Sequence, residues 1–172
     1  MSALFTRTAP TPETWSPEGT IVSQRYRALE GATILVYAAD ADRATATCAA
    51  ACLGCAWRAS KNVAHNPMSE TDAAMAANAH AAACRAMSRG IPARPDDATA
   101  DAMIRNHLWN LRSRHEVRVH IADFHAQRVD LQRTTAWIKG AMARLTANEP
   151  SLLTATDAGS SGLRFTLCPI PR

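Results

Sequence analysis

The chain has 172 residues, of which 47 % are apolar, 20 % charged and 5 % aromatic. That suffices for one domain with a small satellite and excludes a multi-domain machine or a full-sized α/β barrel. The formal charge of +4, carried by 17 arginines and 2 lysines beside 36 alanines, permits an anionic partner such as nucleic acid, although a GC-rich coding sequence accumulates arginine and alanine without one.

Residues 1–19 place Pro10, Pro12 and Pro17 among Ser, Thr and Glu with no apolar period, the pattern of a flexible arm on which Trp15 can still dock. From Thr20 the apolar and β-branched content rises through Ile21, Val22 and Tyr26 to the run Thr33-Ile34-Leu35-Val36-Tyr37, which predicts at least one strand. Residues 38–51 are alanine-rich and fit helix or strand; a hairpin is the preferred reading. Ser69 with Asp72 forms a capping-box pattern that opens an alanine-dense helix to Met87, ended by Gly90 and Pro92.

A second helix begins near Asp96 or Asp97 and carries Met103, Ile104, Leu108 and Leu111. From about Glu116 to Leu145, the residues Val117, Ile121, Phe124, Arg128, Leu131, Thr135, Ile138, Met142 and Leu145 alternate steps of 4 and 3. That is a heptad seam, and it predicts one long helix that packs on the preceding helix or forms an intermolecular coiled coil. Past Pro150, two β-rich runs flank the turn Asp157–Gly162 and read as a hairpin. A helix followed by such a hairpin resembles the recognition helix and wing of a winged-helix domain. The departure is that those domains need a short helix and turn just before the recognition helix, and the heptad pattern runs straight through.

The strongest chemical signal is Cys52-Leu-Gly-Cys55, then 24 residues, then His80-Ala-Ala-Ala-Cys84. A Cys-x-x-Cys knuckle converges two thiolates on one cation. His80 and Cys84, four apart on a predicted helix, share a face and supply two further ligands for tetrahedral zinc. The bland alternative is three small buried cysteines and a surface histidine. Residues 52–84 resemble the Cys-Cys-His-Cys zinc knuckles and treble-clef-like modules of small actinobacterial and phage proteins, which implies a structural, folding-stabilising zinc. Classical Cys2His2 fingers have a shorter gap between their pairs, so their base-reading positions do not transfer.

Cys48-x3-Cys52-x2-Cys55 has the letters of the radical S-adenosylmethionine motif. However, Gly54 stands where that family usually has an aromatic, and no repeated strand–helix units follow residue 90. His80-x3-Cys84 is similar to zinc-binding anti-sigma proteins, but their further cysteine, three positions on, is Met87 here. His107, His115, His120 and His125 look clustered, yet five-residue steps rotate about 140° around a helix and would spread the last three. Arg105, Arg112, Arg114, Arg118, Arg128, Arg133 and Arg144 give the C-terminal helices a basic character. No Gly-rich phosphate loop, nucleophile elbow or H-E-x-x-H is present, so an enzyme is the less favoured class.

No stretch approaches the ~20 apolar residues of a membrane helix, and no basic segment followed by an apolar run opens the chain. The expectation is a cytoplasmic protein without a membrane partner, whose five cysteines are free, catalytic or metal-bound. The expected architecture is α+β: an arm over 1–19, a zinc-stabilised ββα module over 20–90, and a helical pair with a terminal hairpin over 91–172. The expected function is a zinc-stabilised regulatory or accessory protein that contacts DNA through Arg105, Arg112, Arg114 and Arg118. The rival is an adaptor that pairs with itself or another protein through the heptad helix.

Overall fold

A computed structural model describes residues 10–39, 47–159 and 162–170. The first nine residues of the expected arm, segment 40–46 and the tip of the last hairpin lie outside the described residues. The apolar run at 33–37 lies in β2 (Thr33–Ala39), which pairs antiparallel with β1 (Thr20–Arg27) on one side and β3 (Cys48–Cys52) on the other. The short β4 (Arg58–Ala59) completes a sheet of order β1-β2-β3-β4. Side chains alternate across a strand, so a continuous apolar run requires cover on both faces. Ile34 and Val36 face one core with Cys52 and Met68, whereas Leu35 and Tyr37 face another that includes Val129 and receives Trp15. From Pro10 onward the expected arm is therefore not free of the fold: Trp15 packs on this second face, and Arg25 Nη2 donates to its carbonyl at 2.9 Å.

α1 (Glu70–Ala83) covers the first face. Ser69 accepts from the Asp72 N–H at 3.1 Å and Asp72 accepts from the Ser69 N–H at 3.2 Å, a reciprocal cap that satisfies two free helix donors. Ala73, Ala77 and Ala81, four apart, form the buried stripe and oppose the small strand residues Cys48, Ala50 and Cys52, so helix and sheet approach closely. The helix ends at Ala83 rather than continuing to Met87 as its composition suggests. Residues 84–87 leave it to bond the 29–32 turn: Leu29 N–H donates to Cys84 O at 3.0 Å and Ala32 N–H to Ala86 O at 3.2 Å. Tertiary pairing thus outweighs alanine's helix preference.

The C-terminal half contains α2 (Asp97–Leu111), β5 (Val117–Val119), a 3-10 turn (Ile121–Phe124), α3 (Arg128–Leu131), α4 (Thr135–Asn148), β6 (Leu153–Asp157) and β7 (Leu163–Leu167). The last three strands form an antiparallel sheet of order β5-β7-β6. The single heptad helix over 116–145 is thus corrected to a strand, two four-residue helical turns and the separate helix α4, and the coiled-coil reading falls with it. Val117 and Val119 pair with Leu167 and Phe165, as β-branched residues favour. Gln132 is left-handed at φ 46° and stops α3, and the Thr134 side chain caps α4. Buried Arg128 staples this turn, donating to Arg133 O at 2.7 Å and to Thr135 Oγ1.

The seam residues Phe124, Leu131, Ile138 and Met142 share one core with Ile104, Leu108, Phe165 and Leu167. The period marked inward residues correctly while the chain broke between them. The short helix and turn before α4 that the winged-helix resemblance required are both present, followed by the hairpin. The fold is α+β, and among the described residues no helix is long and apolar enough to cross a membrane.

Candidate metal centre

Cys52 ends β3 and Cys55 follows in the bend leading to β4. His80 lies in the last turn of α1, and Cys84 caps that helix. Although α1 stops before Cys84, the Cys84 N–H still donates to His80 O at 2.8 Å, so the pair keeps its one-turn spacing. One ligand atom from each of these four residues lies within 4.8 Å of the others, with Cys55 Sγ and His80 Nε2 3.4 Å apart. A tetrahedral centre with ~2.3 Å metal–sulfur and ~2.0 Å metal–nitrogen bonds sets its ligand atoms about 3.5–3.8 Å apart. The cluster can therefore close on a metal ion with small side-chain movements.

Gly54 makes the knuckle possible. A Cβ there would lie 2.4 Å from Ala32 Cβ and 2.5 Å from Met87 O, so only a residue without a side chain lets the bend sit against Ala32 and the segment that follows Cys84. Its N–H donates to Cys52 Sγ at 3.4 Å, a bond that favours thiolate. Burial pushes the Cys52 thiol up to about 11 despite that bond. At Cys55 burial also acts upward, but it is outweighed by hydrogen bonds from the Trp57 backbone, Cys52 and Cys84 and by the Arg58 charge, and the thiol falls below its ordinary value. Burial holds His80 below the usual histidine range, so its imidazole is neutral and free to ligate. The Trp57 ring stacks on it, centroids 4.2 Å apart and 6° from parallel, fixing its plane.

Arg58 organises the backbone of the knuckle. Its Nη1 donates to the carbonyls of Cys52 (2.8 Å), Cys55 (3.1 Å) and Trp57 (2.8 Å), while Nε and Nη2 grip Asp130 of α3 at 3.0 and 2.7 Å. A single arginine in a short strand carries no local sequence signal for this; only its position three residues after Cys55 hints at it. Cys48, the first cysteine of the Cys48-x3-Cys52-x2-Cys55 run, packs in the core beneath α1 and is not one of the four. Cys168 lies far along the chain and donates to Pro150 O at 3.4 Å.

The four arginines expected to meet DNA divide into two pairs. Arg105 is taken up by Glu149, and Arg112 donates to the carbonyls of Cys168 (3.0 Å) and Pro169 (2.7 Å) and lies over the Trp109 ring. Both hold α2 to neighbouring segments. Arg114 and Arg118 have exposed side chains with no ion pair or hydrogen bond among the described residues. Comparison with protein-family models, curated proteins and solved structures finds no match.

Proposed function

We propose that this chain is a zinc-stabilised nucleic-acid-binding protein of a regulatory or accessory kind. The observation that carries the reading is the convergence of Cys52, Cys55, His80 and Cys84. Three sulfurs and one imidazole suit zinc better than the oxygen-preferring divalent cations. Four protein ligands close a tetrahedral site and leave no position for substrate, so the centre is structural. Three thiolates on a divalent ion leave one net negative charge, which the adjacent Arg58 offsets. In this reading residues 20–90 form a zinc-held sheet-and-helix module of the kind the zinc-knuckle resemblance implies.

The nucleic-acid part rests on the C-terminal connectivity, in which α3, the Gln132–Thr134 turn and α4 precede a hairpin. In helix-turn-helix proteins the second helix enters the major groove. α4 buries Ile138, Ala141 and Met142 and turns Ala136 and Lys139 outward, a face of short side chains around one cation that allows close approach to a groove. By strand register Arg118 stands opposite Thr166, and Arg164 opposite Thr156, on the outer face of the β5-β7-β6 sheet. These two arginines and Lys139 replace Arg105 and Arg112 as the proposed phosphate contacts. Duplex DNA binding should weaken linearly on a logarithmic salt scale. Lys139→Ala and Arg164→Ala should each reduce affinity roughly tenfold and the salt slope by about 1. Binding that ignores salt and both substitutions overturns this half of the reading.

A further inference from the structure

Outside the metal centre, a cavity of about 320 Å³ opens between the two halves of the chain, lined by Thr47, Ser60, Lys61, His65, His120 and His125 together with Pro67, Ala122 and Asp123. One wall comes from the segments flanking the N-terminal sheet, the other from the 3-10 turn before α3. As a run along one helix, His120 and His125 would point apart; the strand and 3-10 turn that replace that helix bring both to this cavity.

The polar groups here are mostly donors. Among the described residues Lys61 is the one lysine or arginine on the lining, and the His65 and His120 imidazoles and the Ser60 hydroxyl supply further N–H and O–H groups. Thr47 Oγ1 and His125 Nδ1 lie 2.7 Å apart at its inner end. The one carboxylate among the described lining residues, Asp123, accepts from the His120 backbone N–H at 2.8 Å through Oδ2. His65 is held at φ 60°, one of two non-glycine residues in the left-handed region among those described. Such backbone strain concentrates at ligand sites. Pro67 and Ala122 add an apolar patch suited to the carbon part of a ligand.

We infer that this cavity binds a small oxyanion, a phosphate- or carboxylate-bearing metabolite, held by Lys61, His65 and His120. A ligand there bridges the N-terminal sheet and the segment leading into α3, so its occupancy bears on how the two halves are held together. The inference does not depend on the DNA reading or on the metal.

The test follows the histidine ring resonances of the full chain as purified, by NMR at pH 7.5. The protein is titrated separately with inorganic phosphate and with citrate, against sodium chloride at matched ionic strength. Saturable shifts of His65 and His120 with a common midpoint, with the exposed His115 unmoved, support the site. Saturation by phosphate, by citrate or by both identifies the oxyanion preferred. Lys61→Ala, with Lys61→Gln as a second variant and folding checked by circular dichroism, should weaken the midpoint at least tenfold. Linear shifts with both anions, equal movement of His115, or a midpoint indifferent to Lys61 overturn the inference.

Discussion

Arg58 and Asp130 form a two-point ion pair, Nε to Oδ2 at 3.0 Å and Nη2 to Oδ1 at 2.7 Å, that joins the cysteine knuckle to α3. The planar guanidinium can do this because its third nitrogen remains to gather the knuckle carbonyls, a division of labour that a lysine cannot reproduce. The proposed zinc site and the proposed DNA-binding unit are thereby mechanically connected through one side chain.

Arg58→Ala removes both connections and leaves the knuckle carbonyls without their donor. It should cost on the order of 3 kcal/mol and lower zinc affinity about 10- to 100-fold, as loss of an outer-shell support does. Asp130→Ala breaks only the connection to α3. Because the Asp130 side chain is 38 % exposed, solvent screening limits its cost to about 1 kcal/mol, and zinc affinity should change little. Urea unfolding and chelator competition separate the two variants. Equal effects on zinc affinity would show that Arg58 does not act through the knuckle.

Gly54 and Gly140 make predictions of opposite sign. Gly54→Ala forces a Cβ into the Met87 carbonyl and should destabilise by roughly 3 kcal/mol or prevent folding with metal. Gly140 sits inside α4, where the nearest heavy atom to an added Cβ is Arg144 Nη1 at 3.6 Å. Gly140→Ala should stabilise by about 0.5–1 kcal/mol by reducing the freedom of the unfolded chain. Thermal melts of the two variants check both signs.

How much of this was legible in the sequence varied by mechanism. The convergence of the four candidate ligands was legible because a knuckle and a one-turn helical pair are local geometries, and the cap at Ser69 is equally local. The break in the heptad seam was not legible. Phe124, Leu131, Ile138 and Met142 face one core whether the chain between them is a continuous helix or three pieces, so periodicity reports the side that is buried and not the continuity of the backbone. The left-handed Gln132 and the buried guanidinium of Arg128 that fix the turn have no sequence signature of the kind Gly or Pro would give. The roles of Arg58, Arg105 and Arg112 depend on Asp130, Glu149 and Cys168, which lie 72, 44 and 56 residues away, and composition cannot show such pairings.

His107 provides a pH prediction. Burial pushes its imidazole below the ordinary 6.5, although its bond to the Asp123 carbonyl and the Asp123 charge act the other way. Nε2–H donates to Asp123 O at 2.9 Å, and the ring lies against Phe124 with centroids 5.0 Å apart. The unfolded chain therefore binds a proton at a higher pH than the folded one. The neutral ring's contribution is intact above about 6.5 and is lost as pH falls from there through the lower folded value. The urea midpoint should drop between pH 7.5 and 5.5, and His107→Gln should drop less over the same interval. An equal drop in both proteins would remove His107 as a source.

Elemental mass spectrometry of the chain purified without added metal, beside Cys52→Ser and His80→Ala, tests the metal centre most directly. One zinc per chain in the wild type, lost together with cooperative unfolding in both variants, is the expected result. A wild-type chain that is folded, monodisperse and free of metal, with both variants equally stable, would contradict it.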